Sequence, residues 1–355
     1  MKKRFLALDS LRGFAACAVA LFHFGTIRDT TAYLAVDFFL VLSGFVLTHS
    51  YFLKPNFSII NFAYIRFARL YPLHVISTCF VAFLSICYVK SEFTYNDFFL
   101  HILMVHNVGF GPKGLRLNIP SWSISVEFWT NVLVYTSIIL FGFISYWRTR
   151  IAFFLISILG LSIIFFTFGS LDVNTYDYKG ILNIGLLRGI SSFLLGILIY
   201  QYYMWKIARI ENTGVPVFAI LSISLFLFCL LSKWTDTKWQ VISPFIFCFI
   251  IITMAIDTSV VGRILSKFSY LGDISFSIYL WHWPIILLTR QTKHVNDDLN
   301  FLSILPDMEG ALIFVALVIL VSHLSYKFLE IPVYRFLRSR WTMRTGLALG
   351  KAPPR

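Results

Sequence analysis

Charge is what this sequence has least of. Only 13% of its 355 residues are Asp, Glu, Lys or Arg, where an average soluble domain carries roughly a quarter. With 58% hydrophobic residues, no polar exterior can be laid over so much apolar surface. A soluble globular fold is excluded, and lipid is the alternative solvent. Acidic residues are the scarcer sign, 17 against 30 Lys and Arg, for a net charge of +13. In a soluble chain that excess would point to nucleic acid. Here the basic residues sit between apolar runs, as topology signals and anionic-lipid contacts, and no nucleic-acid partner is expected. Cys17, Cys79, Cys87, Cys229 and Cys248 are odd in number and show no Cys-x-x-Cys or Cys/His ligand spacing. Neither a disulfide framework nor a metal site is expected from them. There is no internal repeat and no polar stretch long enough for a second domain. The opening Met-Lys-Lys-Arg imitates a signal peptide but lacks a small-residue cleavage site, so it reads as a retained first helix.

What the chain does have is one apolar run after another. Ten segments suit a crossing of about 20 residues: 8–27, 35–53, 72–89, 120–143, 151–169, 184–203, 215–232, 239–256, 274–290 and 310–329. A further piece, 95–107, is too short and too polar to cross and reads as an interfacial or re-entrant helix. With the N-terminus inside, ten crossings put 19 of the 30 Lys and Arg in the cytoplasm and 9 outside, leaving Arg12 and Arg188 within spans. An eleventh crossing would turn the basic C-terminus outward. The positive-inside rule therefore selects ten, with both termini cytoplasmic. The expected fold class is all-α, a polytopic transmembrane helix bundle over residues 1–334. A basic cytoplasmic tail, 335–355, is expected to be mobile at the membrane surface.

An ionisable side chain inside a span is costly, and so is a functional candidate by default. Arg12 and His23 lie eleven residues apart on the first helix, three turns, and share a face. The plainer alternative is a snorkelling arginine and a histidine bonded to a neighbouring helix. Asp37 opens the second span, whose Ser43-Gly44 pair permits close helix approach. The fourth span opens with Ser121-Trp122-Ser123-Ile-Ser125-Val-Glu127. Its alternating serines line a polar cavity or glue helices together, while Glu127 is a carboxylate too expensive to leave in lipid. By depth, His23, Asp37 and Glu127 all fall in the outer half, and a histidine oriented by a carboxylate is the arrangement for general-base work. On the cytoplasmic side Arg66 and Arg69, one turn apart in an aromatic segment entering the third span, either clamp phosphates or anchor topology. Tyr279 and His282, just before Pro284 in the ninth span, are pocket residues or structural hydrogen-bonders.

At these residues the chain resembles acyltransferase family 3, the polytopic membrane O-acyltransferases that modify bacterial surface glycans. The matching pieces are Leu8-Asp9-Ser10-Leu11-Arg12-Gly13 with His23, then Val36-Asp37-Phe38-Phe39 through Ser43-Gly44-Phe45. Arg66-Phe-Ala-Arg69, the Ser121–Trp129 run and Ser277-Ile-Tyr279-Leu-Trp281-His282 continue the match in family order over nearly the whole chain. The resemblance implies a location in the bacterial inner membrane and a cytoplasmic acyl-CoA donor, acetyl-CoA first among them, as co-substrate with no prosthetic group. It implies a carbohydrate hydroxyl as acceptor, on a surface polysaccharide or lipid-linked glycan. It further implies that Arg12 and His23 are essential and that Arg66 and Arg69 serve the donor. Some members carry a fused extracytoplasmic esterase-like domain; none is expected here, so transfer is expected to be direct or completed by a separate partner. Joined to the residue chemistry, this makes His23, oriented by Glu127 or Asp37, the expected base, with Arg12 guiding the donor. Ser121, Trp122, Ser123, Ser125, Tyr279 and His282 are expected around the substrates, with Ser125, Trp122 and Tyr279 the candidates for oxyanion donors. The rival reading is a proton-coupled secondary transporter, but no paired broken helices recur between the two halves.

Overall fold

Lipid offers no water to satisfy backbone N–H and C=O groups, so an apolar chain crosses it as helix. The computed structural model describes residues 4–52, 58–89, 93–109, 117–141, 147–172, 177–178, 182–207, 216–233, 237–290 and 307–345, and they are helical almost throughout. In chain order the helices are α1 (Leu6–Phe24), α2 (Ala35–Leu47), α3 (Ile59–Leu84), α4 (Tyr95–Ile102), α5 (Trp122–Phe141), α6 (Trp147–Phe168) and α7 (Ile184–Tyr202). There follow α8 (Pro216–Leu231), α9 (Ser243–Ile256), α10 (Val260–Ser266), α11 (Ser269–Asp273), α12 (Ser275–Arg290), α13 (Asp307–Ser325) and α14 (Ile331–Thr345). Among the described residues the one extended pairing joins Asp177–Tyr178 to Leu182–Asn183. The protein is an all-α, multi-pass transmembrane bundle.

Each of the ten expected crossings contains a helix. Eight helical segments are long and apolar enough to cross a membrane. The other two, α8 and α12, have 16 residues each and rise only about 24 Å, short of a hydrocarbon core of roughly 30 Å. Contacts between helix ends fall into two sets, as alternating crossings require. Lys233–Asp29, Thr31–Ser232 and Thr237–Gly169 belong to one face; Arg4–Asp273 and Trp341–Asn61 belong to the other.

Three elements differ from expectation, and each matters for the site. First, α3 starts at Ile59 rather than near 72, with the Ser58 side chain accepting the Asn61 N–H. Pro72 lies inside it, losing one helical hydrogen bond without ending the helix. Arg66 and Arg69 therefore sit two to three turns within a helix rather than in the loop before one. Second, α4 is an eight-residue helix closed at its start by a Thr94–Asp97 capping box. Beyond it Asn118 donates to Ser77 Oγ (3.2 Å) and to the Leu280 carbonyl (3.3 Å), so α5 begins beside the first third of α12 rather than at its far end. Irregular backbone at such depth must be enclosed by protein, and Leu117, Asn118 and Ser121 are buried. Third, the first part of the tail is helix α14, docked on α3: Trp341 stacks on Tyr64 at 4.0 Å and its Nε1–H donates to Asn61 Oδ1 (2.8 Å). Tail residues 346–355 and most of the 291–309 loop lie outside the described residues.

Small residues set the tightest approach. A Cβ on Gly44 of α2 would stand 2.2 Å from the Phe193 carbonyl oxygen, and one on Gly196 of α7 2.1 Å from that of Val41. The Ser43-Gly44 pair thus brings α2 against α7 on its glycine side and leaves Ser43 free to face elsewhere.

Candidate functional site

One face of α2 and of the helical turn Thr48–Phe52 that continues it, with residues recurring every three or four positions from Val36 through Leu40 and Ser43 to Leu47 and Tyr51, lines a cavity of about 210 Å³. The 15 steps from Val36 to Tyr51 rise roughly 22 Å, so the cavity is a slot running deep into the bundle. Five further helices complete it. Arg12 comes from α1, Arg66 and Arg69 from α3, Ser123 and Glu127 from α5, Ser275 and Tyr279 from α12, and Tyr334 from α14. Six residues expected around the chemistry (Arg12, Arg66, Arg69, Ser123, Glu127 and Tyr279) therefore share one chamber.

Its charges are unevenly paired. Arg66 forms an ion pair with Glu127, whose Oε1 also accepts from Ser43 Oγ (3.1 Å). The pair is largely enclosed, with side-chain exposures of 9% and 21%, yet Arg66 Nε remains a buried donor with no partner among the described residues. Arg12 spans α1 to the start of α12, donating to Ser275 Oγ (3.0 Å) and the Gly272 carbonyl, with Asp9 at 3.6 Å. Arg69 has no hydrogen-bond or ion-pair partner among the described residues. Three guanidinium groups thus face the chamber with one carboxylate, a field suited to a polyanion.

Glu127 and Asp37 both depart from the expected arrangement around His23. Because α5 starts deep in the bundle, Glu127 lies level with Arg66, near the start of α3. Asp37 is fully enclosed, at 0% exposure against 1% for its partner Arg188. Arg188 donates to both its oxygens (3.0 and 2.5 Å), and Ser192 Oγ adds a third bond (3.2 Å). Such a pair locks α2 to α7, and the partners that hold Asp37 are Arg188 and Ser192 rather than an imidazole. Arg188, left without a role by the sequence, is its other half.

Of the α5 opening, Ser123, Ile124 and Glu127 line the chamber, the two polar members four residues apart on one helix face. Ser121 bonds to the Asn118 carbonyl (2.6 Å) and His106 (3.2 Å), and Ser125 donates to the Met104 carbonyl (2.7 Å), as does Trp129 Nε1 (2.9 Å). Met104 holds a left-handed φ of 57°, a backbone state costly for such a side chain. These bonds pin the segment that follows α4 to α5. Trp122 lies 5.7 Å over the Arg188 guanidinium, outside the chamber lining.

His23 has a different partner from either carboxylate. Its Nδ1 lies 3.1 Å from His282 Nε2, with the rings stacked at 5.1 Å. His282, fully buried, places its own Nδ1 3.2 Å from the Ile278 carbonyl. A carbonyl only accepts, so His282 carries its proton on Nδ1. Its Nε2 then accepts from His23 Nδ1–H, and the free lone pair falls on His23 Nε2. Tyr279 separates this dyad from the chamber: it lines the chamber, packs edge-on to His282 at 5.9 Å, and receives a hydrogen bond from Ser123 Oγ (2.8 Å). Tyr51 and Tyr334 line the chamber and had not been expected there; nor had Glu330, outside the lining, which accepts from Ser277 Oγ. Glu330 was legible in principle, as an acid at the end of a span.

Comparison with known proteins fits this geometry. Residues 5–327 match the family described as an acyltransferase domain. The putative membrane-bound transacylase BcsY of Komagataeibacter xylinus is 26% identical over 93% of this chain and 83% of its own. The O-acetyltransferase OatA of Staphylococcus aureus is 24% identical over 92% of this chain but 56% of its own. Protein 2 in the picA locus of Rhizobium radiobacter is 45% identical over 24% of this chain and 48% of its own. The chain thus spans about half the length of those last two relatives. No solved structure matches.

Proposed function

The chain belongs to the acyltransferase family matched by residues 5–327, and on that premise we propose that it moves an acyl group from cytoplasmic acyl-CoA to a carbohydrate hydroxyl. The acyl group is acetyl in this reading, the acceptor an extracytoplasmic or lipid-linked glycan, and the location the bacterial plasma membrane. Ten crossings put the face that carries Asn61 and Trp341 in the cytoplasm. The observation that carries the reading is the chamber itself: an arginine-lined slot entered beside Tyr51 and Tyr334, with a histidine pair just beyond Tyr279. Arg69, without a hydrogen-bond partner among the described residues, and Arg66 line the slot and supply guanidinium donors for phosphates. A pantetheine arm is long, thin and flexible, as the slot is.

The chemistry then needs few parts. The acceptor oxygen attacks the thioester carbonyl while its proton passes to His23 Nε2, removal of which base typically costs ~10²–10⁴ in rate. Collapse of the tetrahedral intermediate breaks the C–S bond, and the departing thiolate takes the proton back from the imidazolium. His282 holds His23 in the required tautomer, the task a carboxylate performs in other catalytic triads. The Tyr279 hydroxyl, at the chamber wall, is the nearest candidate to face the oxyanion. The test is release of free CoA thiol by purified, bilayer-reconstituted protein given acetyl-CoA and membrane glycan. Glycan-dependent release is expected; a protein that moves solute across the bilayer while leaving thioester intact would be a transporter instead.

A further inference from the structure

Helix α14 lies beyond the residues that match the family, and the transfer step above uses none of its residues. It is nevertheless fastened to the chamber's entrance. Trp341 stacks on Tyr64 and donates to Asn61, and the Tyr64 hydroxyl donates to the Leu337 carbonyl (3.0 Å). This fixes α14 across the start of α3, and Tyr334 enters the chamber lining beside Tyr51. Arg338 follows Tyr334 by four residues, so it lies on the same helix face one turn along, and it is half-buried where Arg335 and Arg340 are exposed. The Tyr51 hydroxyl is within electrostatic reach of Arg66, Arg69, Arg338 and Tyr334. The α14 sequence, IPVYRFLRSRWTMRT, holds four arginines and no acid.

We propose that α14 forms the lip of the donor chamber and that Arg338, together with Arg66, Arg69 and the Tyr51 hydroxyl, binds the phosphates at the nucleotide end of CoA. Arg66 and Arg69 line the chamber with Tyr51, and Arg338 stands within electrostatic reach of the same phenol; of the two carboxylates in reach, Glu127 pairs with Arg66, and Glu330, bonded by Ser277, acts on Arg69 from outside the lining. The acyl-bearing end of the donor then points up the slot toward Tyr279. The inference rests on the acyl-CoA reading for the identity of its ligand. A basic helix at a bilayer surface also attracts anionic headgroups, so phosphate from lipid is the competing source of the same chemistry.

The test is calorimetric binding of CoA itself, without an acyl group, to purified protein in phosphatidylcholine nanodiscs. It reads donor binding separately from transfer. Arg338→Gln is expected to weaken binding about tenfold or more, as for loss of one charge-assisted phosphate contact. Arg338→Lys, which keeps the charge and guards against a folding artefact, should recover most of that loss, while Arg340→Gln on the exposed face should bind as the parent does. Dephospho-CoA should narrow the difference between parent and Arg338→Gln. Equal CoA affinity in parent and Arg338→Gln would overturn the proposal, as would failure of the parent to bind CoA. An Arg338 effect confined to nanodiscs containing phosphatidylglycerol would assign the helix to lipid instead. Absence of thiol release in a protein that binds CoA in this manner would defeat the transfer reaction and leave the lip intact.

Discussion

The two arginines of the Arg-x-x-Arg segment look equivalent in sequence and are not equivalent in the fold, so their replacement should separate stability from donor binding. Arg66 neutralises Glu127 in an enclosed pair. Arg66→Gln leaves a carboxylate at 21% exposure without its cation, a change that costs about 3–5 kcal/mol when the pair is buried. Adding Glu127→Gln removes the stranded charge and should restore most of the lost stability. Arg69 has no such partner among the described residues, so Arg69→Gln should shift stability by no more than about 0.5 kcal/mol. Its loss should appear in the donor instead. One charge-assisted phosphate bond is worth about 1.5–3 kcal/mol, which raises KM for acyl-CoA roughly 10- to 150-fold. The assay pairs thermal unfolding in nanodiscs with thiol-release kinetics on the same preparations. If Arg69→Gln unfolds as readily as Arg66→Gln, or leaves KM unchanged, the division of labour is wrong.

Three further outcomes follow from individual contacts. Asp37→Asn should lower thermal stability by several degrees because it strands the buried Arg188; a paired Asp37→Leu, Arg188→Met variant should refold with near-parental KM, whereas loss of activity in a stable pair would return Asp37 to the chemistry. His282→Gln keeps an amide oxygen for the His23 Nδ1–H and should outperform His282→Ala, where an orphaned donor costs about 1–3 kcal/mol, some 5- to 150-fold in rate; equal rates would show that the dyad is only packing. Gly44→Ala drives a methyl against the Phe193 carbonyl and should destabilise by about 1–3 kcal/mol, read as a lowered unfolding temperature.

The helices were legible in the sequence because hydrophobic length is a local signal, and a continuous apolar run of about 20 residues satisfies its own backbone in lipid as helix. Six members of the chamber lining, named from residue chemistry and the family resemblance, converge from four helices. Partnerships were not legible. Asp37 and Arg188 are 151 residues apart, and nothing local marks either as the other's counter-ion. Depth was misread for Glu127, because counting residues from an assumed membrane boundary ignores a chain that dips inward before its helix begins, as the Asn118 bonds show. The His23–His282 contact joins two helices 259 residues apart, and the expectation of a carboxylate there came from general-base chemistry rather than from any spacing. The tail was read by charge alone. Its aromatic residues Tyr334 and Trp341, interleaved with the arginines, are the signature of a docked surface helix.

The central claim is that His23 removes the acceptor proton, and His23→Gln tests it most directly. Glutamine keeps a hydrogen-bonding amide of similar volume but cannot serve as a base at neutral pH. The measurement is acyl transfer from acetyl-CoA to glycan by monodisperse, reconstituted protein, with CoA binding checked on the same sample. The account predicts parental CoA affinity and a rate reduced by about 10²–10⁴, in His23→Gln and His23→Ala alike. A His23→Gln variant that transfers at near-parental rate while His23→Ala fails to fold would make His23 a structural partner of His282 and contradict the mechanism.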